Sequence, residues 1–145
     1  MALYSPGSMV TVHKTITFDG TAGLGAAGTP VSVFTTTGQV LVVAIVPFCT
    51  TLLTEAVAGA TLALGITGST ALFIAATNAV DIDANEFWLD TAPDPAGIAL
   101  PAAMKDIVIA ANVIITPATQ NTNGGVLDID LIYIPLSTDG AMVAA

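Results

Sequence analysis

The chain has 145 residues, with eleven Asp and Glu against two cations, Lys14 and Lys105, and a net charge of −9. Charged residues make up 9% of it and hydrophobic ones 54%, where a typical soluble domain is about 25% charged. No basic footprint exists to displace counterions from phosphates, so nucleic-acid binding is excluded. An anionic membrane surface is disfavoured for the same reason.

The expected order along the chain is an N-terminal arm over 1–8, a β domain over 9–139 and a short tail over 140–145. The arm is apolar and carries Leu3 and Tyr4; it lacks the basic and apolar regions of a signal peptide. Val10, Val12, Ile16 and Phe18 alternate with Thr11, His13, Thr15 and Thr17, which predicts a strand with one apolar face. Lys14 interrupts that face and points to an edge position. Residues 19–30 form a Gly-, Ala- and Thr-rich loop, flexible or tightly turned. Val31 to Thr37 predicts a strand. Val40 to Val46 is a continuous apolar run that suits a strand buried on both faces and ended by Pro47.

Ala56 to Val80 carries no charge and is long enough to span a bilayer, but its glycines and threonines favour a hairpin. The expected strands are Thr61 to Ile66 and Ala71 to Ala75, around Thr67-Gly68-Ser69-Thr70. A short aromatic strand follows over Glu86 to Asp90, then a proline-rich loop, then one strand over Ile107 to Thr116. Asn121 to Gly125 predicts a turn. The last strand, Val126 to Ile134, places Leu127, Ile129, Leu131 and Tyr133 on one face and Asp128 and Asp130 on the other. The predicted class is all-β, a jelly roll or β-sandwich of about eight strands with short terminal arms.

Candidate chemistry is sparse. His13 is the lone histidine and Cys49 the lone cysteine. A nucleophile triad would have to use His13, which sits on a polar strand face beside Lys14 with no nucleophile motif. One Cys and one His do not make a zinc site, and Cys49 reads as a small buried hydrophobe. Asp81-Ile-Asp83-Ala-Asn85 opens like a calcium loop. Glu86 then stands where glycine is needed and Ala92 where glutamate is needed, so Asp81, Asp83, Glu86, Asp90 and Asp94 read as a solvated connection. Asp128 and Asp130 are spaced as glycosidase carboxylates can be, without sugar-stacking aromatics around them. No catalytic residue, cofactor or metal site is therefore expected, and the protein is read as a non-enzyme.

The low charge and the apolar surplus imply a surface that is covered. The expectation is a homo-oligomer, with Leu3, Tyr4, Met142 and Val143 as partner-binding residues on two terminal arms.

Four segments carry a family resemblance: Ile16-Thr-Phe-Asp-Gly-Thr-Ala-Gly-Leu-Gly, Val46-Pro-Phe-Cys-Thr-Thr, Asp81-Ile-Asp-Ala-Asn-Glu-Phe-Trp and Ile132-Tyr-Ile-Pro-Leu-Ser-Thr-Asp-Gly. With them, nearly the whole chain resembles small virion proteins of tailed bacteriophages, of the head decoration (cement) type. The resemblance implies a β-rich trimer on the capsid exterior, made in the host cytoplasm and bound to the major capsid protein. It carries no residue-level site. A head-fibre, tail or host-recognition component would look similar.

Overall fold

The computed structural model describes residues 8–145, so Leu3 and Tyr4 lie outside the described residues. The strands in chain order are β1 Val10–Thr17, β2 Val31–Thr37, β3 Val40–Glu55, β4 Thr61–Ile66, β5 Ser69–Asn78, β6 Glu86–Phe87, β7 Lys105–Ile109, β8 Val113–Ala118, β9 Thr122–Pro135 and β10 Ala141–Ala144. They form two five-stranded antiparallel sheets, a β-sandwich. The first runs β1-β9-β3, with β6 and β7 both on the far edge of β3; the second runs β10-β2-β8-β4-β5. The inner faces meet in one core that includes Phe34, Trp88, Ile45, Leu64, Ile115 and Leu127.

β9 shows the cause most directly. Leu127, Ile129, Leu131 and Tyr133 are buried, while Asp128 and Asp130 face outward. A period-two pattern can bury only one side of a sheet. β1 lies along β9 from Val10 opposite Tyr133 to Thr17 opposite Val126. Lys14 accordingly sits on an edge strand, where a long side chain can leave the core face.

β3 departs from expectation twice. It is buried on one face, not both: Val40, Val42, Ile45 and Cys49 are buried, while Leu41, Val43, Ala44 and Val46 remain half-buried. The odd spacing from Val42 to Ile45 reflects a bulge between Val42 and Ala44, which resets which side chains point inward. Nor does Pro47 end the strand. The Pro47 carbonyl accepts from Trp88 N at 3.1 Å. The position its N–H would occupy therefore faces the irregular segment after β6, and the β9 ladder loses no donor.

The predicted strand over Ile107 to Thr116 is two strands in different sheets. β7 pairs with β3 and β8 with β2 and β4, so the chain crosses the sandwich at Ala110–Asn112. Asn112 holds that corner: its Oδ1 accepts from Thr36 N at 2.9 Å and its carbonyl from Thr67 N at 3.0 Å. The turn expected at 121–125 falls earlier, at Thr119 with φ 67°, and β9 starts at Thr122. Gly125 serves a close crossing instead. A Cβ there would lie 2.5 Å from Leu53 Cδ2 and 2.6 Å from Leu52 O.

The β4–β5 hairpin forms as expected around Thr67-Gly68, with β5 running on to Asn78. The aromatic strand is only Glu86–Phe87. The loop after β1 is tightly turned: Asp19 N and Gly20 N both bond to Leu24 O. The C-terminal segment read as a tail is strand β10, paired with β2 from Ala141 opposite Thr37 to Ala144 opposite Phe34.

Candidate functional site

β1 and β9 bring His13, Asp128 and Asp130 together on the outer face of the first sheet. Register places His13 opposite Asp130 and Thr15 opposite Asp128. His13 Nδ1 donates to Asp130 Oδ1 at 2.8 Å, and Nε2 lies 3.2 Å from Thr15 Oγ1 and 3.6 Å from Asp128 Oδ1. Thr15 Oγ1 in turn donates to Asp128. Both imidazole nitrogens thus face groups that hold them, and no serine or cysteine stands within the cluster. Half of the His13 side chain is exposed. Such a cluster links the two strands through their side chains.

Three of the five carboxylates of the acidic connection accept hydrogen bonds from residues close by in the chain. Asp81 accepts from Asn78 Nδ2 at 3.0 Å, Glu86 from Asp83 N at 3.1 Å, and Asp90 from Ala92 N at 2.7 Å. Asn85 takes a left-handed conformation, φ 68°, and its N–H donates to Cys49 O at 2.7 Å, tying the connection to β3. Among the described residues no group of three or more His, Cys, Asp or Glu could hold a metal ion. Nor is any helix of these residues long and apolar enough to cross a membrane.

Two further groups have shifted titration. Burial pushes the Cys49 thiol up to about 11, and its Sγ points at Thr51 O at 3.1 Å. The Thr21 hydroxyl and N–H, at 2.6 and 2.9 Å, hold the Asp19 carboxyl below its ordinary value.

A cleft of about 470 Å³ does open between the sheet edges, where β1 faces β2 and the Gly23–Leu24 loop. Lys14 is its one charged lining residue, and the ammonium already donates to the Ala145 main-chain oxygen.

The larger surfaces are the sheet faces. On the first sheet, Leu41 pairs with Val108 on one side and Ile134 on the other, an apolar row across three strands. Val108 is 62% exposed. Phe48 and Phe87 make a tilted aromatic pair farther along, with ring centres 4.9 Å apart. Asp128 lies opposite Phe48, and Asp130, opposite Val46, stands between that pair and the Leu41 row. The second sheet is different: none of β10, β2, β8, β4 or β5 contains Asp, Glu, Lys, Arg or His. Of the residues expected to bind partners, Met142 is in the core at 3% exposure and Val143 points outward at 59%. Sequence reasoning missed both faces, because which residues share a face depends on bulges and on the crossing at Ala110–Asn112. The absence of charge from particular segments was the available signal.

Neither a family model nor a curated protein sequence matches the chain. A solved structure does. The fold is similar to that of a chain in the cyanophage Pam1 capsid asymmetric unit. The two share 18% identity at a TM-score of 0.53, over 92% of this chain and 93% of that one. At that identity the likeness is one of fold. It takes in the sandwich from end to end.

Proposed function

We propose that the protein is a structural component of a tailed-bacteriophage virion: a decoration protein on the capsid exterior that binds the major capsid protein and stabilises the shell. The observation that carries this reading is the fold likeness, over nearly the full length of both chains, to a chain of a phage capsid asymmetric unit. The residue chemistry is compatible with it. The lone histidine is held between carboxylates on an open sheet face, and the lone cysteine is buried.

The mechanism is mass action. A ligand that binds only the assembled, expanded shell lowers the free energy of that state by RT ln(1 + [L]/Kd). A trimer that bridges several capsid subunits adds avidity, because its second and third contacts form at high effective concentration. The outer face of the first sheet, with the Leu41–Val108–Ile134 row at one end and Asp130 and Asp128 farther along β9, suits a shell surface that offers apolar contact and cationic groups. Leu3, Tyr4 and Val143 are the proposed additional contacts.

The test is quantitative mass spectrometry of purified virions, with heat stability of particles made with and without this protein. Hundreds of copies per particle and lower stability on removal are expected. A few tens of copies or fewer, with unchanged head stability, would move the protein to a head-fibre, tail or host-recognition role.

A further inference from the structure

The outer edges of the sandwich are not alike. β10 has four residues, β6 two and β7 five, and β5 is bulged against β4. Short or bulged strands keep an edge from pairing with another chain. β1 has neither device. Its eight residues hold unbroken register with β9 and contain no proline. Phe18 N, next in the same register, donates to Gly125 O at 3.0 Å. Main-chain groups alternate in direction along a strand, so those of Thr11, His13, Thr15 and Thr17 point away from β9, to an edge that no described strand covers. Beside the second half of that edge lies the cleft of about 470 Å³, walled on its other side by Pro30, Val31 and Ser32. A lysine can also guard an edge, but Lys14 is held aside by the Ala145 main-chain oxygen.

We infer that residues 1–7 of one copy of this chain add as a strand to the open edge of β1 in a second copy, along residues 14–17, with side chains in the cleft. The occupant follows from chain length and sequence. Residues 1–5 are as long as an ordinary strand, and Pro6 separates them from β1 because it has no N–H to continue a ladder. They bring Leu3 and Tyr4 as apolar bulk and no carboxylate side chain. Their own chain does not place them in the cleft. Ser8 and Met9 form no turn, so the chain reverses no later than Pro6-Gly7. A two-residue reversal there sets Ser5 opposite Ser8 and Met1 opposite Val12, short of Lys14. The fixed negative φ of Pro6 also refuses the turn types that close tight hairpins. A second copy meets neither limit. Each copy then gives one segment and receives one, a heterologous contact that closes into a ring when the rotation allows. This inference concerns contact between copies and holds whatever the copies attach to.

Disulfide trapping tests the placement. Leu3→Cys protein is mixed at micromolar concentration with Thr17→Cys or Ser32→Cys protein, each also carrying Cys49→Ala, and oxidised; a covalent dimer of the two species is expected. Sedimentation velocity of the full chain reads the affinity, with circular dichroism as the check on folding. An extended segment points Leu3 and Tyr4 to opposite faces, so Leu3→Asp with Tyr4→Asp puts a carboxylate into the cleft whichever way it lies. Thr17→Pro removes an edge N–H that β9 does not use; Thr11→Pro removes one outside the docking stretch. The expected result is an oligomeric parent, self-association weakened about tenfold or more by the Asp pair and by Thr17→Pro, and no change for Thr11→Pro. A monomeric parent overturns the inference. So does an oligomer indifferent to the Asp pair, or the absence of a mixed disulfide at both cleft positions. A disulfide that closes within one chain in a Leu3→Cys/Val10→Cys variant overturns it too, by placing the segment beside its own β1. If Thr17→Pro fails to fold, the Asp pair and the mixed disulfide decide. Loss of virion binding with self-association intact would count against the decoration role and leave this contact standing.

Discussion

Trp88 Nε1 donates to Thr77 Oγ1 at 3.0 Å, in a place where the two residues are 0% and 2% exposed. The Thr77 hydroxyl in turn donates to Ala75 O at 3.0 Å. A residue of the acidic connection is thus fastened to a strand of the second sheet by a chain of two buried hydrogen bonds.

Replacing Thr77 with Val keeps the shape but leaves the indole N–H without a partner. The expected cost is about 1–3 kcal/mol, read by chemical denaturation. Thr77→Ser, which keeps the hydroxyl, should lose much less. Equal losses for the two would show that methyl packing, and not the bond, matters at this site.

Gly125→Ala should destabilise by roughly 1–3 kcal/mol, combining an unfavourable φ of 105° with a Cβ that enters the Leu52–Leu53 backbone. Gly68→Ala is the comparison. Its φ is 94°, but nothing lies within 4 Å of the new methyl. Thermal melts of the pair separate the strain shared by both from the clash present only at Gly125.

Met142→Ala should cost about 2–5 kcal/mol as a core truncation. Val143→Ala, one residue on but pointing outward, should leave the melting temperature of the isolated subunit within a degree or two, since exposed substitutions stay within about 0.5 kcal/mol. Denaturation under dissociating conditions makes the comparison. If both are silent, β10 contributes nothing to the folded subunit.

Cys49 should resist thiol reagents at pH 8 in the folded protein and react once it is unfolded. The folded thiol keeps its proton up to about 11, against 9.0 in an unfolded chain. A raised value means the folded state binds that proton more tightly. Its stabilising contribution is complete below pH 9 and disappears as pH rises toward 11. Cys49→Ala should flatten this part of the pH–stability curve relative to the parent.

Much of the fold could be read where one residue decided one strand face. The β9 alternation, the Lys14 edge and the Thr67-Gly68 hairpin all depend on local pattern, and all appear in the structure. Pro47 was misread because its meaning depends on which neighbour faces its missing donor, a fact of sheet order. The strand over Ile107 to Thr116 divides at Ala110–Asn112, where the break comes from Asn112 bonding to β2 and to the β4–β5 turn, both distant in sequence. The C-terminal strand has only four residues, too few for a period to show, and its place beside β2 is a tertiary contact. His13 reads as exposed from its own strand, but its two carboxylates come from β9, and only the register brings them together.

The pairing of β1 with β9 also governs when the subunit can be completed. Val10 meets Tyr133, so the first strand made waits for almost the last. Until β9 has left the ribosome, the apolar β3 has no neighbour on one edge and β1 has none at all. Closing so long a loop is slow, and unpaired apolar strands are the species that aggregate. The nascent chain therefore passes most of its synthesis without its central ladder, and its first strand stays unpaired until residue 133 is out.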